Sequence, residues 1–206
     1  MKVCIIGNCG NMGRRYSAIL NNLNVDFCGV DINETIPKTS HYIIATPTKA
    51  HLESIPLCEN AETILCEKPI AKRNTFPLWF PDNVRMVCNW AFLGKPQYTP
   101  GQNTVIYNYF RTGADGFWWD LIQPLYLATT ITASNTSPVF ECVINDRAYT
   151  QRDFDFSYIR MIEAWLKDPT TLWGKKEIIE SHNKAWRYQN DLGNNSGQVN
   201  IEAITQ

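Results

Sequence analysis

The sequence lacks an excess of charge of either sign, and it lacks long apolar runs. Its 19 lysines and arginines are balanced by 20 aspartates and glutamates, which gives a formal net charge of -1. This balance argues against nucleic acid as a partner. The apolar run nearest the N-terminus covers only residues 3–6, too short for a signal peptide or a membrane span. We therefore expect a soluble cytoplasmic protein that binds neither nucleic acid nor membranes.

The sequence also lacks paired cysteines at metal-binding spacing, although it contains seven cysteines. Four of them lie inside or beside apolar runs, namely Cys4, Cys28, Cys66 and Cys88. Such cysteines behave as small buried hydrophobic residues in a reducing compartment. We therefore predict no metal site and no disulfide framework. Hydrophobic residues make up 44% of the chain, which is enough for a packed core.

Short apolar runs alternate with helical patterns over the first 89 residues. The runs predict strands at 3–6, 25–30, 42–45, 63–66 and 84–88. Helices are predicted between them, at 12–23 and, with Pro56 as an interruption, at 50–60. This alternation is typical of a parallel sheet of the Rossmann type. The predicted fold class is α/β, with this sheet in domain 1–89.

The pattern changes near Asn89, and residues 90–206 are predicted to form a small α+β domain for substrate binding or oligomerisation. Strands are expected at 104–111 and 139–144, and helices at 156–166 and 175–189. The polar segment 193–197 is expected to be a mobile tail.

The first strand ends in a glycine-rich turn that reads G-x-x-G-x-x-G from Gly7 through Gly10 to Gly13. Glycine permits a sharp turn, and a missing side chain lets a pyrophosphate approach the backbone. The N-terminus of the next helix then offers free N–H groups to the phosphates. The turn therefore predicts a dinucleotide site that includes Asn11 and Met12.

Asp31 ends the second strand, 18 residues after Gly13. A carboxylate at this place accepts hydrogen bonds from the adenosine ribose and repels a 2′-phosphate, which favours NAD over NADP. Arg14 and Arg15 beside the turn could neutralise a phosphate, so NADP stays open as the cofactor.

A second group of candidate residues follows the third and fourth strands. Thr46 and Pro47 close the third strand, and the tripeptide Glu67–Lys68–Pro69 closes the fourth. The carboxyl ends of parallel strands line the ligand crevice, so these residues face the same crevice as the glycine turn. A lysine there can donate a hydrogen bond or a proton to a substrate carbonyl. The alternative is a surface Lys68 paired with Glu67.

Three segments, at 2–15, 42–55 and 64–73, together resemble the glucose–fructose oxidoreductase, inositol dehydrogenase and rhizopine catabolism (Gfo/Idh/MocA) family. The E-K-P tripeptide after an A-T-P-x-x-x-H segment is the most specific part of the resemblance, which covers the chain to about Asn89. Members of this family have a Rossmann domain followed by an α/β domain with an open sheet.

The resemblance implies an NAD- or NADP-dependent oxidoreductase that acts on a small sugar or polyol. By the same resemblance Lys68 is the catalytic lysine, and Thr46, Pro47 and His51 lie near the nicotinamide end of the cofactor. Glu67 is counted with the cofactor-binding residues. A homodimer is left as an open alternative, because the sheet through which family members usually dimerise is shortened here.

The chain departs from the family pattern at the acid–base histidine. The family often carries Asp-x-x-x-His in its second domain, and here Asp120 fits while Pro124 occupies the histidine position. Proline cannot transfer a proton. Lys68 would then carry more of the acid–base chemistry, with Asp120, His51 or Tyr126 assisting.

The chain also departs from the family pattern in the length of its Rossmann half. Only 11 residues separate Asp31 from Ile43, so this half is shortened.

Three alternatives remain at the level of the sequence. The aromatic run 117–119 is either core or a wall for a flat substrate, as in the related biliverdin reductases. A nucleotide-binding protein without catalysis would explain the missing histidine. An interaction module that reuses the fold would carry an exposed apolar face on its small sheet.

Overall fold

A computed structural model describes residues 1–31, 34–72, 75–77, 80–108, 114–134, 139–192 and 198–201, without the side chains of 114–119, 190–192 and 198–201. The chain divides into two compact units. Unit 1 comprises Met1–Val87 and Ile162–Ile178, and unit 2 comprises Cys88–Met161 and Ile179–Gln206. Residues 162–178 thus belong by their contacts to unit 1, and the division at residue 89 into cofactor and substrate domains stays a prediction.

Unit 1 is built on a parallel sheet of five strands in the order β2-β1-β3-β4-β5. The strands are β1 Lys2–Ile6, β2 Asp26–Val30, β3 His41–Ile44, β4 Thr63–Cys66 and β5 Val84–Met86. Helix α1, Asn11–Asn22, follows β1, and helix α2, Thr48–Ser54, follows β3. The predicted α/β class with a Rossmann-type parallel sheet is confirmed.

The inner strands of this sheet are buried on both faces, as their continuous apolar runs predict. All of β3 and β4 is buried, and Val3, Ile5, Ile43 and Leu65 have no exposed surface. Burying a side chain of this size contributes about 1.5–3 kcal/mol. Strand β2 lies at the edge of the sheet, and most of its residues are half-exposed or exposed. The described residues between Asp31 and β3, at 34–40, form no further strand.

The two helices of unit 1 show how local sequence sets their bounds. Helix α1 buries Tyr16, Ile19 and Leu20 on one face, at the predicted helical spacing. Helix α2 ends at Ser54 and gives way to a 3-10 turn at Ile55–Leu57. Pro56 lies in this turn because proline has no N–H for an α-helical bond.

Unit 2 contains a second five-stranded sheet, in the order β10-β7-β6-β8-β9. Its strands are β6 Asn103–Asn108, β7 Ala128–Ser134, β8 Glu141–Ile144, β9 Arg147–Tyr149 and β10 Gln198–Ile201. Helix α3, Ala114–Leu127, connects the parallel pair β6 and β7, and α4, Gln151–Lys167, and α5, Lys175–Leu192, follow β9. The pairs β6–β8, β8–β9 and β7–β10 are antiparallel.

Sequence patterns identified β6, β8, α4 and α5 but missed α3, β7, β9 and β10. Pro124 lies inside α3, where proline normally signals a helix end. Strand β7 is rich in threonine and alanine and lacks a continuous apolar run. The predicted tail 193–197 and the end of the strand predicted at 104–111 lie outside the described residues. Within the described ranges, no helix is both long and apolar enough to cross a membrane.

Candidate functional site

The glycine turn lies where the strand order of unit 1 changes direction. Strand β1 pairs with β2 on one side and with β3 on the other. The turn after β1 therefore lies between the end of β2, at Asp31, and the end of β3, at Ala45. This is the place at which open parallel sheets bind their ligands.

Two glycines of the turn are required by the backbone that surrounds them. Gly7 has a φ of 89°, and a Cβ there would lie 2.9 Å from the backbone of Ala45 and Thr46. A Cβ on Gly13 would lie 2.2 Å from the carbonyl oxygen of Gly7 and 2.6 Å from Cα of Asn8. Any side chain at either position would force the turn apart.

Hydrogen bonds within the turn stabilise the loop and leave the N-terminus of α1 accessible. The Ser17 hydroxyl contacts Oδ1 of Asn8 at 2.6 Å and the carbonyl oxygen of Gly13 at 3.0 Å. Gly10 precedes α1 as its N-cap and makes no side-chain cap. The first N–H groups of α1, beginning at Asn11 and Met12, therefore have no capping side chain from the residues that the structure describes and can face an anion.

Asp31 is tied to the glycine turn. Its Oδ2 accepts a hydrogen bond from the Cys9 amide at 2.7 Å, and its own amide donates to Oε2 of Glu34 at 2.7 Å. The Asp31 carboxylate, by accepting a hydrogen bond from the thiol, raises the pKa of exposed Cys9. Two carboxylates, from Asp31 and Glu34, thus flank the turn at the end of β2.

Arg14 is engaged within the turn. Its guanidinium donates to the carbonyl oxygen of Cys9 at 2.6 Å and to Oδ1 of Asn11 at 2.8 Å. Arg14 therefore stabilises the exposed edge of the loop.

Thr46 provides an unsatisfied polar atom at the end of β3. Its Oγ1 is buried and has no hydrogen-bond partner among the described residues. An unpaired buried hydroxyl costs about 1–3 kcal/mol, so such an atom is a candidate contact for a bound ligand or water. The neighbouring Pro47 precedes α2 and accepts a hydrogen bond from the Ala50 amide at 2.8 Å.

The glutamate of the E-K-P tripeptide is buried and does not form a surface pair with the lysine. Glu67 is 6% exposed, and its Oε1 accepts a hydrogen bond from the Tyr16 hydroxyl at 2.5 Å. Its Oε2 accepts from the backbone amide of Lys68 at 3.1 Å. Glu67 thus anchors the loop that presents the half-exposed Lys68 at the end of β4.

His51 bridges the loops that follow β3 and β4. Its ring is 1% exposed, with Nε2 2.7 Å from the carbonyl oxygen of Thr46 and Nδ1 2.9 Å from that of Pro69. Burial lowers the pKa of His51, while these carbonyl contacts and the charge of Glu67 oppose the shift. The ring has no free nitrogen to offer a substrate.

Most of the predicted site residues come together at the carboxyl edge of the unit 1 sheet, whereas Asp120 lies on α3 in unit 2. Pro124 follows Asp120 by one helical turn within α3. Tyr126 donates to Oε2 of Glu180 at 2.8 Å, and His182 is fully buried in α5. The side chains of the aromatic run 117–119 lie outside the described residues. No group of three or more potential ligands in the described part of the chain could hold a metal.

Sequence reasoning missed two residues of the unit 1 site. Tyr16 lies on the apolar stripe of α1, which predicts a core residue. No pattern in the sequence indicates that its hydroxyl contacts Glu67. Gly29 lies on β2, where a Cβ would fall 2.2 Å from Cγ of Asn8. A glycine inside a strand is the signal that could have indicated this close approach.

No protein-family model and no curated protein matches the sequence. Among solved structures, the WlbA (WbpB) dehydrogenase from Thermus thermophilus, in complex with NAD and UDP-GlcNAcA, is similar with a TM-score of 0.57 and 12% identity. That match covers 90% of this chain and 93% of the other. An oxidoreductase from Thermotoga maritima matches with a TM-score of 0.55 and 10% identity, covering 97% and 98%. At these identities the likeness concerns the fold, and the chain shares the fold of Rossmann-type oxidoreductases.

Proposed function

We propose that this protein is an NAD(P)-dependent oxidoreductase acting on a small hydroxyl or carbonyl substrate. The observation that carries the proposal is the glycine turn at the strand-order reversal, where Gly7 and Gly13 admit no side chain. The buried Oγ1 of Thr46 on the neighbouring loop, which has no hydrogen-bond partner within the described part of the chain, supports it. Both features fit a dinucleotide laid across the end of the sheet.

The residues at the carboxyl end of the unit 1 sheet include a candidate contact for each part of the dinucleotide. Gly10, Asn11 and Met12 present the start of α1 to the pyrophosphate. Asp31 offers a carboxylate to the adenosine ribose, and Thr46 offers its hydroxyl toward the nicotinamide end, next to Pro47. When bound, the nicotinamide supplies hydride transfer.

NAD is the cofactor that the charges favour. Asp31 and Glu34 bring two carboxylates together at the end of β2, and a carboxylate at this place repels a 2′-phosphate, which disfavours NADP. Arg14 is already bonded to Cys9 and Asn11, so it would have to leave the turn to neutralise a phosphate.

We propose Lys68 as the acid–base residue. Its ammonium can donate a proton to the oxygen of a reacting carbonyl, and the amine form can accept the proton of a hydroxyl in the reverse direction. His51, whose two ring nitrogens face backbone carbonyls, is proposed to hold the Lys68 and Thr46 loops, and Glu67 to hold the Lys68 loop. Asp120 is proposed as an assisting residue from the family resemblance alone. The sugar or polyol class of substrate is proposed from the family resemblance.

Titration of the purified protein with NADH and NADPH, followed by nucleotide fluorescence, tests this function. We compare Gly10→Ala with Gly174→Ala. A Cβ on Gly10 meets the Gly7 carbonyl oxygen at 3.3 Å, whereas one on Gly174 makes an ordinary 3.4 Å contact with Arg85. We expect Gly10→Ala to weaken NADH binding about tenfold or more, a loss of at least ~1.4 kcal/mol, and Gly174→Ala to leave it unchanged. Wild-type protein that binds neither nucleotide contradicts the proposal.

A nucleotide-binding protein without catalysis is the second candidate, and Pro124 at the histidine position favours it. A panel of sugars, polyols and biliverdin, assayed with both nucleotides, separates the two. Turnover that is lost in Lys68→Ala supports the enzyme. Nucleotide binding without turnover on any substrate supports the second candidate.

We also propose a homodimer through the outward face of the unit 2 sheet. On β6, Val105 and Tyr107 are buried while Thr104 and Ile106 are exposed. Ile106 stands opposite Val143 on β8 and Thr132 on β7, so a β-branched row crosses this face. Light scattering should report a dimer that Ile106→Lys converts to a monomer, and a wild-type monomer contradicts it.

A further inference from the structure

The backbone on either side of Lys68 is held by a buried polar side chain. On the N-terminal side, Glu67 accepts a hydrogen bond from the Lys68 amide at 3.1 Å. On the C-terminal side, the carbonyl oxygen of Pro69 lies 2.9 Å from Nδ1 of His51. The loop that presents Lys68 is therefore fixed through groups that lie beneath it.

These two anchors reach different parts of unit 1. Glu67 is bonded to the Tyr16 hydroxyl on α1, the helix that starts at the glycine turn. His51 lies on α2 and also contacts the carbonyl oxygen of Thr46, the residue whose buried Oγ1 bonds to none of the described residues. His51 thus connects the Lys68 loop directly to the Thr46 loop.

The chemistry of the imidazole makes this connection depend on its protonation. Both ring nitrogens of His51 face carbonyl oxygens, which accept hydrogen bonds and cannot donate them. A neutral imidazole has one N–H, so it can bond to Thr46 or to Pro69 but not to both. The imidazolium has two N–H groups and bonds to both carbonyls at once.

We propose that His51 is a positioning residue that ties the Thr46 loop to the Lys68 loop, with one hydrogen bond when neutral and two when protonated. Protonation then draws the two loops into the arrangement that receives the nicotinamide end of the cofactor. The link to cofactor binding rests on the proposed function, whereas the hydrogen-bond switch is a property of the chain alone.

The surroundings of His51 place its titration below neutral pH. Burial lowers its pKa, and the opposing influences are the carbonyl groups of Thr46, Pro69 and Ile70 and the charge of Glu67. Among the described residues, Glu67, at the end of β4, is the charged group that acts on the ring. The second hydrogen bond therefore forms as the pH falls below the ordinary histidine value of 6.5.

Nitrogen-15 NMR of histidine-labelled wild-type protein tests the switch without any cofactor. The chain contains three histidines, so His41→Gln and His182→Gln assign the His51 signals by elimination. We expect one slowly exchanging ring N–H at neutral pH and a second one on acidification, while the protein stays folded. A ring that stays neutral until the protein unfolds, or that titrates like an exposed histidine, overturns the proposal.

The functional arm measures NADH affinity against pH in wild type, His51→Gln and His41→Gln. We expect wild-type affinity to rise about fivefold as His51 is protonated, which corresponds to one net hydrogen bond. His51→Gln should lose this pH dependence, and His41→Gln, altered at the opposite end of β3, should keep it. An unchanged pH profile in folded His51→Gln overturns the proposal. Absence of NADH binding in wild type overturns the proposed function instead, and the NMR result still stands or falls by itself.

Discussion

The glycine turn after β1 and the Lys68 loop after β4 both lie at the carboxyl end of the unit 1 sheet, but they are held by different means. The turn is fixed by backbone packing, because Gly7 and Gly13 leave no room for a Cβ. The Lys68 loop is fixed by buried polar side chains, through Glu67 and His51. The packed glycine turn tolerates no added side chain, and its packing does not depend on pH. The polar side chains that hold the Lys68 loop are sensitive to the loss of a single hydrogen-bonding atom and to protonation.

The largest effect is expected from a side chain at Gly13. Gly13→Ala places a methyl group 2.2 Å from the Gly7 carbonyl oxygen, so α1 must move away from the turn. We expect a loss of about 3 kcal/mol in the free energy of unfolding. Denaturant unfolding measures it, with Gly174→Ala as the glycine control. Equal midpoints for the two variants would show that the turn is not held by packing.

The next effect concerns the anchor of the Lys68 loop. Tyr16→Phe removes the donor to Oε1 of Glu67 and leaves a buried carboxylate oxygen with one partner fewer. We expect a loss of about 1–3 kcal/mol in the free energy of unfolding. Tyr42→Phe is the matched control, since the Tyr42 hydroxyl bonds to backbone groups, namely the carbonyl of Pro37 and the amide of Thr39. A smaller loss in Tyr16→Phe than in Tyr42→Phe contradicts the anchoring role of Tyr16.

A change in cofactor preference is expected from the carboxylate beside the turn. Asp31→Asn keeps an oxygen for the Cys9 amide and removes one of the two negative charges. The ratio of NADPH to NADH affinity should rise about tenfold, ~1.4 kcal/mol, when measured by fluorescence titration. Asp26→Asn, at the opposite end of β2, should leave the ratio unaltered. If both variants behave alike, net charge rather than the position of Asp31 sets the preference.

The smallest effect is a slope of stability with pH. Burial lowers the pKa of His41 and of His51 in the folded chain. The unfolded chain then binds protons more readily, so the free energy of unfolding falls as the pH drops below 6.5 and levels off below the folded pKa values. Denaturant midpoints between about pH 7 and pH 5 should decline in wild type and decline less in His51→Gln. A midpoint that rises on acidification would indicate raised histidine pKa values.

Unit 1 was largely predictable from sequence, and unit 2 only in part. The strands of unit 1 carry short, mostly apolar runs, and β1, β2 and β4 are followed by the glycine turn, Asp31 and the E-K-P tripeptide, so both the elements and their order along the chain were evident. In unit 2, Pro124 concealed α3, and the threonines of β7 concealed a central strand. A single proline or a polar β-branched residue is tolerated there because tertiary packing outweighs local propensity.

By itself, the sequence determined the glycine turn, the placement of Asp31 at the end of β2 and the E-K-P tripeptide at the end of β4. These features depend on local sterics and on hydrophobic periodicity, which neighbouring residues specify. Only the tertiary structure decided that Tyr16 holds Glu67, that His51 faces two carbonyl oxygens, and that the buried Oγ1 of Thr46 finds no partner in the described ranges. Tyr16 and Glu67 are 51 positions apart, and contacts over such separations arise from how the sheet brings its loops together.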